Sequence, residues 1–94
     1  MKIEWSRFAA LDRELIFSYI ESRNPRAAVL VDERIAAAIN RLRQFPESGR
    51  VGRVAPTREL VIRRTPYLAA YQLSNSTIRV LRILHSAQLW PEEL

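Results

Sequence analysis

Cysteine is absent from this sequence, histidine and lysine occur once each, and glycine occurs only twice among its 94 residues. The first absence excludes a disulfide framework and a thiolate metal site, and it makes a reducing cytoplasm the expected compartment. With one imidazole and no thiolate, zinc has no ligand set, so neither a metal nor a cofactor is expected. Long apolar runs are missing too. None approaches the length that crosses a bilayer, and Met1-Lys2-Ile3-Glu4-Trp5 lacks the apolar stretch of a signal peptide. A soluble, unexported protein with no membrane partner is therefore expected. Its length and ordinary apolar content fit one domain, 1–94, near the lower size at which a single core suffices without covalent staples.

What is abundant is arginine. Fourteen of the fifteen basic residues are Arg, and the net charge is +5. Residues 1–40 carry six basic and six acidic side chains, whereas residues 41–94 carry nine Arg against four Glu, so the whole excess lies in the second part. A genome that writes Arg for Lys accounts for the ratio but not for this division. Guanidinium groups offer planar forks of donors to carboxylate and phosphate, so an acidic protein segment or a polyanion is the expected partner.

Lys2-Ile3-Glu4-Trp5 alternates and reads as a short strand. Ser6 is an N-cap candidate for a helix reaching about Arg23, with Phe8, Leu11, Leu15 and Tyr19 as its apolar stripe and Ile16 and Ile20 widening it. Asp12, Glu14 and Glu21 fall on its expected solvent side. Asn24-Pro25 opens a second helix to about Phe45, with Asn as cap and Pro at the first helical position. Its seam is the cleanest period in the chain: Ala28, Val31, Ile35, Ala38, Leu42 and Phe45, with Ile39 beside them. The short connection makes the two helices an antiparallel hairpin, which favours an internal use of the seam over a coiled coil between chains.

Pro46 to Pro56 is irregular and holds both glycines. Gly49-Arg50 and Gly52-Arg53 place guanidinium groups beside backbone that glycine lets adopt positive φ and approach a ligand closely, although no known phosphate-loop spacing is present. Three extended segments follow, Arg58–Arg64, Tyr67–Ser74 and Thr77–His85, with a turn at Ser74-Asn75-Ser76. Simple alternation along the last puts Ile78, Val80, Arg82 and Leu84 on one face and Arg79, Leu81, Ile83 and His85 on the other. Trp90, near the end of the chain, is expected to pack back on the fold. The order is βααβββ, an α+β domain with a helical hairpin on a mainly antiparallel sheet of about four strands. Arg50, Arg53, Arg63, Arg64, Tyr67, Tyr71, Arg79 and Trp90 are the candidate binding side chains.

Several stretches, taken in chain order, resemble the RelE/ParE superfamily of bacterial toxins. They are Ile3-Glu4-Trp5-Ser6, Tyr19-Ile20, Asn24-Pro25-Arg26-Ala27-Ala28, Pro46 through Gly49-Arg50-Val51-Gly52-Arg53, Thr57-Arg58-Glu59-Leu60-Val61, Pro66-Tyr67 with Ala70-Tyr71, and Val80-Leu81-Arg82-Ile83-Leu84-His85 with Trp90-Pro91. The resemblance covers nearly the whole chain. It implies the toxin of a type II toxin–antitoxin pair, partnered by an antitoxin that contributes an acidic, amphipathic segment. RelE-like members cleave messenger RNA on the ribosome without a metal, and ParE-like members inhibit DNA gyrase. The nuclease alternative would use His85 as general acid, with Glu59, Arg58 and Arg82 supplying a base and charge neutralisation. RelE-like nucleases carry an Arg just before the aromatic of the middle strand, and Tyr67-Leu68-Ala69-Ala70-Tyr71 has no cation there. Gyrase is thus the leading expected target, with the ribosome and mRNA, or a relic that only binds its antitoxin, as alternatives.

Overall fold

A computed structural model describes residues 1–92 and 94. Strand β1 (Lys2–Trp5) leads into helices α1 (Arg7–Glu21) and α2 (Pro25–Arg41), followed by strands β2 (Arg50–Val51), β3 (Arg58–Val61), β4 (Tyr67–Ser74) and β5 (Thr77–His85). The sheet order is β1-β5-β4-β3-β2, with β1 parallel to β5 and every other pair antiparallel. The expected α+β architecture is present, with five strands instead of about four, because Arg50 and Val51 pair with Glu59 and Arg58. No described helix is long and apolar enough to cross a bilayer.

Local chemistry sets the helix starts. Ser6 is extended, and its Oγ accepts from the Ala9 N–H at 3.0 Å while donating to the Leu81 carbonyl at 2.8 Å. One side chain thus caps α1 and fastens it to β5. Asn24 caps α2 through Oδ1 and the Ala27 N–H, with Pro25 next in line. A bidentate Arg13–Asp32 pair at 2.7 and 2.9 Å joins the two helices of the hairpin.

The seam of α2 packs as its period predicts, with Ala28, Ile35, Ile39 and Leu42 buried. Phe45 is the exception: α2 stops at Arg41 and Phe45 stays exposed. On α1 the buried side differs from the expected one. Ala9, Ile16 and Ile20 meet the core, whereas Phe8, Leu11, Leu15 and Tyr19 lie open to solvent. Two stripes at helical spacing share this helix, and the position of β5 under Ser6 and Asp12 selects the one with the smaller side chains.

Strand β5 also departs from simple alternation. Its register against β4 slips between Ala70 and Tyr71, where Ala70 pairs with Arg82 and Tyr71 with Val80, so Leu81 is an extra, bulged residue. Beyond the bulge the parity flips. Ile83 joins Ile78 and Val80 in the core under the helices, and Leu84 lies opposite Leu68 on the far face. β1 covers β5 only as far as Val80. Past that point α1 satisfies the open edge: the Ser6 N–H donates to the Val80 carbonyl, and Asp12 accepts from the Ile83 N–H at 3.0 Å.

The segment expected to run extended to Arg64 ends at Val61. Arg63 and Arg64 form a turn in which Arg64 has φ 63°, closed by the Ile62 N–H donating to the Tyr67 carbonyl and the Thr65 hydroxyl donating to that of Ile62. The core between hairpin and sheet contains Tyr71, Ile35, Leu42, Ile78 and Val80, all fully buried. Each aliphatic side chain among them contributes about 1.5–3 kcal/mol of burial free energy.

Candidate functional site

The loop from Pro46 to Pro56 is held from beneath by Tyr71. Its phenol donates to the Pro46 carbonyl at 2.8 Å and accepts from the Gly49 N–H at 2.9 Å, and burial pushes its pKa up, which keeps the donor in place. Arg58 supports the same turn, donating from Nη1 to the carbonyls of Gly49 and Glu47 at 2.8 and 3.2 Å. A Cβ on Gly49 would lie 2.7 Å from the Tyr71 ring, and one on Gly52 would lie 2.8 Å from the Thr57 carbonyl oxygen. Neither glycine has a positive φ. Both are needed for close approach to the protein's own chain, so the expected opening toward a ligand gives way to internal packing.

Glu59 pairs with Ala70, one residue out of step with Ala69 and Tyr71 of the core, so it faces away from the helices. It is only 3% exposed. Its carboxylate accepts from the Arg53 N–H at 2.8 Å, from Arg53 Nε at 3.3 Å and from Arg50 Nη2 at 3.1 Å. Burial alone would push this carboxyl up, but these donors outweigh it and hold it below the usual carboxylate range. The Arg53 guanidinium continues the stack, lying 3.7 Å from the centre of the Trp90 ring. Trp90 thus packs back on the fold, with its indole N–H buried and without a partner among the described residues.

Of the remaining acid–base candidates, Arg82 shares the far face with Glu59, both of them pairing with Ala70, whereas His85 does not. Arg82 is gripped by Asp12 through two bonds of 2.7 and 3.0 Å, and that pairing strengthens its hold on the proton. His85 pairs with Tyr67, which shares the helix-side face, and the two rings meet edge to face with centroids 5.4 Å apart. Its Nδ1 accepts from the Ala87 N–H at 3.0 Å, and its own backbone N–H donates to Gln88 Oε1. His85 and Glu59 therefore lie on opposite faces of the sheet. Of the binding candidates, Tyr71 is fully buried and Tyr67 nearly so, while Arg79 is exposed on the far face and pairs with Glu4 at 3.5 Å.

A groove of about 600 Å³ opens beside β3, between it and α2. Ala37, Ala38, Phe45, Leu60 and Val61 give it apolar walls, Arg34, Arg41, Arg63 and Arg64 surround them, and Arg50 and Glu59, already paired, close it together with Ser48. Arg34 also donates to the Arg64 carbonyl at 3.1 Å, which fixes the β3–β4 turn against α2. Arg34 and Arg41 were not among the sequence candidates. Their seven-residue spacing on one face of a helix was the signal available for them.

Comparison with known proteins agrees with this architecture. The profile of the ParE toxin of type II toxin–antitoxin systems, parDE, matches residues 3–90. Y4kP, a candidate toxin of Sinorhizobium fredii, is 39% identical over 93 residues, spanning 99% of this chain and 96% of its own. Toxin RelE2 of Caulobacter vibrioides is 33% identical over 88 residues, with coverage of 94% and 98%. A chain from the chromosomal ParDE system of P. aeruginosa superposes with a TM-score of 0.83 at 27% identity, covering 90% of this chain and 95% of that one. With the helical hairpin, the five-stranded sheet and a family match that runs nearly end to end, the chain belongs to the ParE toxins of the RelE/ParE superfamily, the toxin components of type II toxin–antitoxin systems.

Proposed function

We propose that this toxin arrests growth by binding DNA gyrase, without cutting RNA, and that a cognate antitoxin neutralises it. The observation that carries this reading is that the candidate catalytic groups are either bonded into the fold or, for His85, set apart from the rest. Glu59 has three donors on its carboxylate, Arg82 is held bidentately by Asp12, Arg58 bonds backbone carbonyls, and His85 stands on the other face of the sheet. The donors that hold the Glu59 carboxyl below its usual range make it a weak base, and a general base and a general acid must share one site around the 2′-hydroxyl. The middle strand adds no cation between Tyr67 and Tyr71 to stabilise a developing phosphorane charge. A binding mechanism needs none of these groups free.

The groove between α2 and β3 is the proposed seat of the antitoxin. Apolar side chains line both its walls, and the arginines beside them suit an amphipathic segment bearing Asp or Glu, which gains affinity from the anchors and rate from steering. Purified protein is expected to inhibit gyrase supercoiling and to leave a translated message uncut in a toe-printing assay. Discrete cuts in the ribosomal A site with unaffected supercoiling would reverse the assignment. Growth unaffected by strong induction would instead identify an inactive relic.

A further inference from the structure

We infer, resting on the reading of the groove between α2 and β3 as the antitoxin's seat, that Arg64 is the residue that determines its specificity, held in place to bind a carboxylate of the docked segment. Arg64 has φ 63°, in the left-handed region where an L side chain crowds its own backbone and glycine or asparagine is the easier choice. The chain follows that preference at its other positive φ among the described residues, where Asn75 turns β4 into β5. Arginine at such a position gives the fold nothing in return. Its side chain is exposed and makes no hydrogen bond or ion pair among the described residues. Backbone strain of this kind persists only where the surroundings hold it, and it gathers at binding sites. Here Arg34 does the holding, reaching from α2 to donate to the Arg64 carbonyl at 3.1 Å, while the Ile62 N–H closes the turn onto the Tyr67 carbonyl. The strained residue is thus fixed against α2, and it lines the groove.

Charge and shape say what it meets. Arg41, Arg63 and Arg64 have no carboxylate partner among the described residues, and the one carboxylate lining the groove, Glu59, is already taken by Arg50 and Arg53. Across from the turn, Arg34, Ala37, Ala38 and Arg41 stand at i, i+3, i+4 and i+7 of α2, the four corners of a hole that receives a side chain from a packed neighbour. Two of those corners are only methyl groups, so the hole admits a bulky apolar side chain between the arginines at its ends. The occupant is therefore an acidic segment with an apolar anchor over Ala37 and Ala38 and a carboxylate toward the β3–β4 turn. There the Arg64 guanidinium offers a planar fork of donors to it. With its backbone already fixed, the turn loses little freedom on docking.

Affinity for the purified cognate antitoxin, by isothermal titration calorimetry, and the urea midpoint of the free toxin are the paired measurements. Arg64→Gly should leave the midpoint no lower, since glycine relieves the left-handed backbone, yet weaken antitoxin binding at least about tenfold. When the acidic residues of the antitoxin are changed one at a time to their amides, one should weaken binding to the wild type and have little further effect on Arg64→Gly. Ala37→Glu, at an exposed helix position, tests the seat itself by placing a like charge in the path of an acidic segment. Weaker binding in Ala37→Glu with unchanged binding in Arg64→Gly would leave the groove as the seat and overturn the role of Arg64. Unchanged binding in both would place the antitoxin elsewhere and overturn both readings. A midpoint that falls in Arg64→Gly would also overturn the inference, because the arginine would then be serving the fold.

Discussion

A carboxylate withdrawn from water is costly unless donors replace the solvent, and around Glu59 three do so. Its arginine partners are half exposed and can rehydrate when the carboxylate is removed, so Glu59→Gln should cost only about 1–2 kcal/mol, less than breaking a fully buried pair. The pH dependence follows from the lowered carboxyl pKa. Protons bind more readily to the unfolded chain, so the contribution is complete above the ordinary value of 4.5 and disappears as pH falls through the lower folded value. The gap in urea midpoint between wild type and Glu59→Gln should therefore be widest at neutral pH and close under acid. His85 tests function at the same scale. A general acid supplies roughly 10²–10⁴-fold in rate, so His85→Ala would nearly abolish toxicity in a nuclease. For the proposed gyrase inhibitor, toxicity measured by induced colony counts should persist.

At the scale of the element, α1 holds two apolar stripes and the sheet accepts one. Ile16→Ala should lose about 1–3 kcal/mol through the packing it gives up, whereas Leu15→Ser, on the open stripe, should stay within about 0.5 kcal/mol in the isolated chain. Equal losses in thermal or urea unfolding would contradict the orientation of the helix. Periodicity along α1 is nearly the same for either choice, and what separates them lies some seventy residues away, where Ser6 and Asp12 satisfy the edge of β5 that β1 leaves open. The loop before β3 makes a parallel case. Gly49→Ala would drive a Cβ into the Tyr71 ring and the Glu59 carbonyl, with an expected cost of about 1–3 kcal/mol and loss of the order that holds Arg50 and Arg53 over Glu59. A midpoint unchanged in that variant would show that the loop tolerates displacement.

Over the whole molecule the charge is divided, and the division governs association. With the excess of arginine confined to residues 41–94 and five of those side chains or their α2 neighbours around one groove, raising salt should slow antitoxin association more than it speeds dissociation. Stopped-flow rates across ionic strengths would show this, and a salt-independent on-rate would remove the electrostatic role of the groove. The element order apart from the two-residue β2, the N-caps at Ser6 and Asn24, the α2 seam as far as Leu42 and the last two strands are local matters, set by propensity and spacing within a few residues, and the sequence by itself determined them. The side of α1 that is buried, the bulge at Leu81 that turns Ile83 inward, and the separation of His85 from Glu59 were decided only by the tertiary structure. Each depends on which distant backbone groups must be satisfied and which volumes filled. A one-residue slip in pairing moves every later side chain of a strand to the other face, and nothing in the local sequence of β5 marks where that slip occurs.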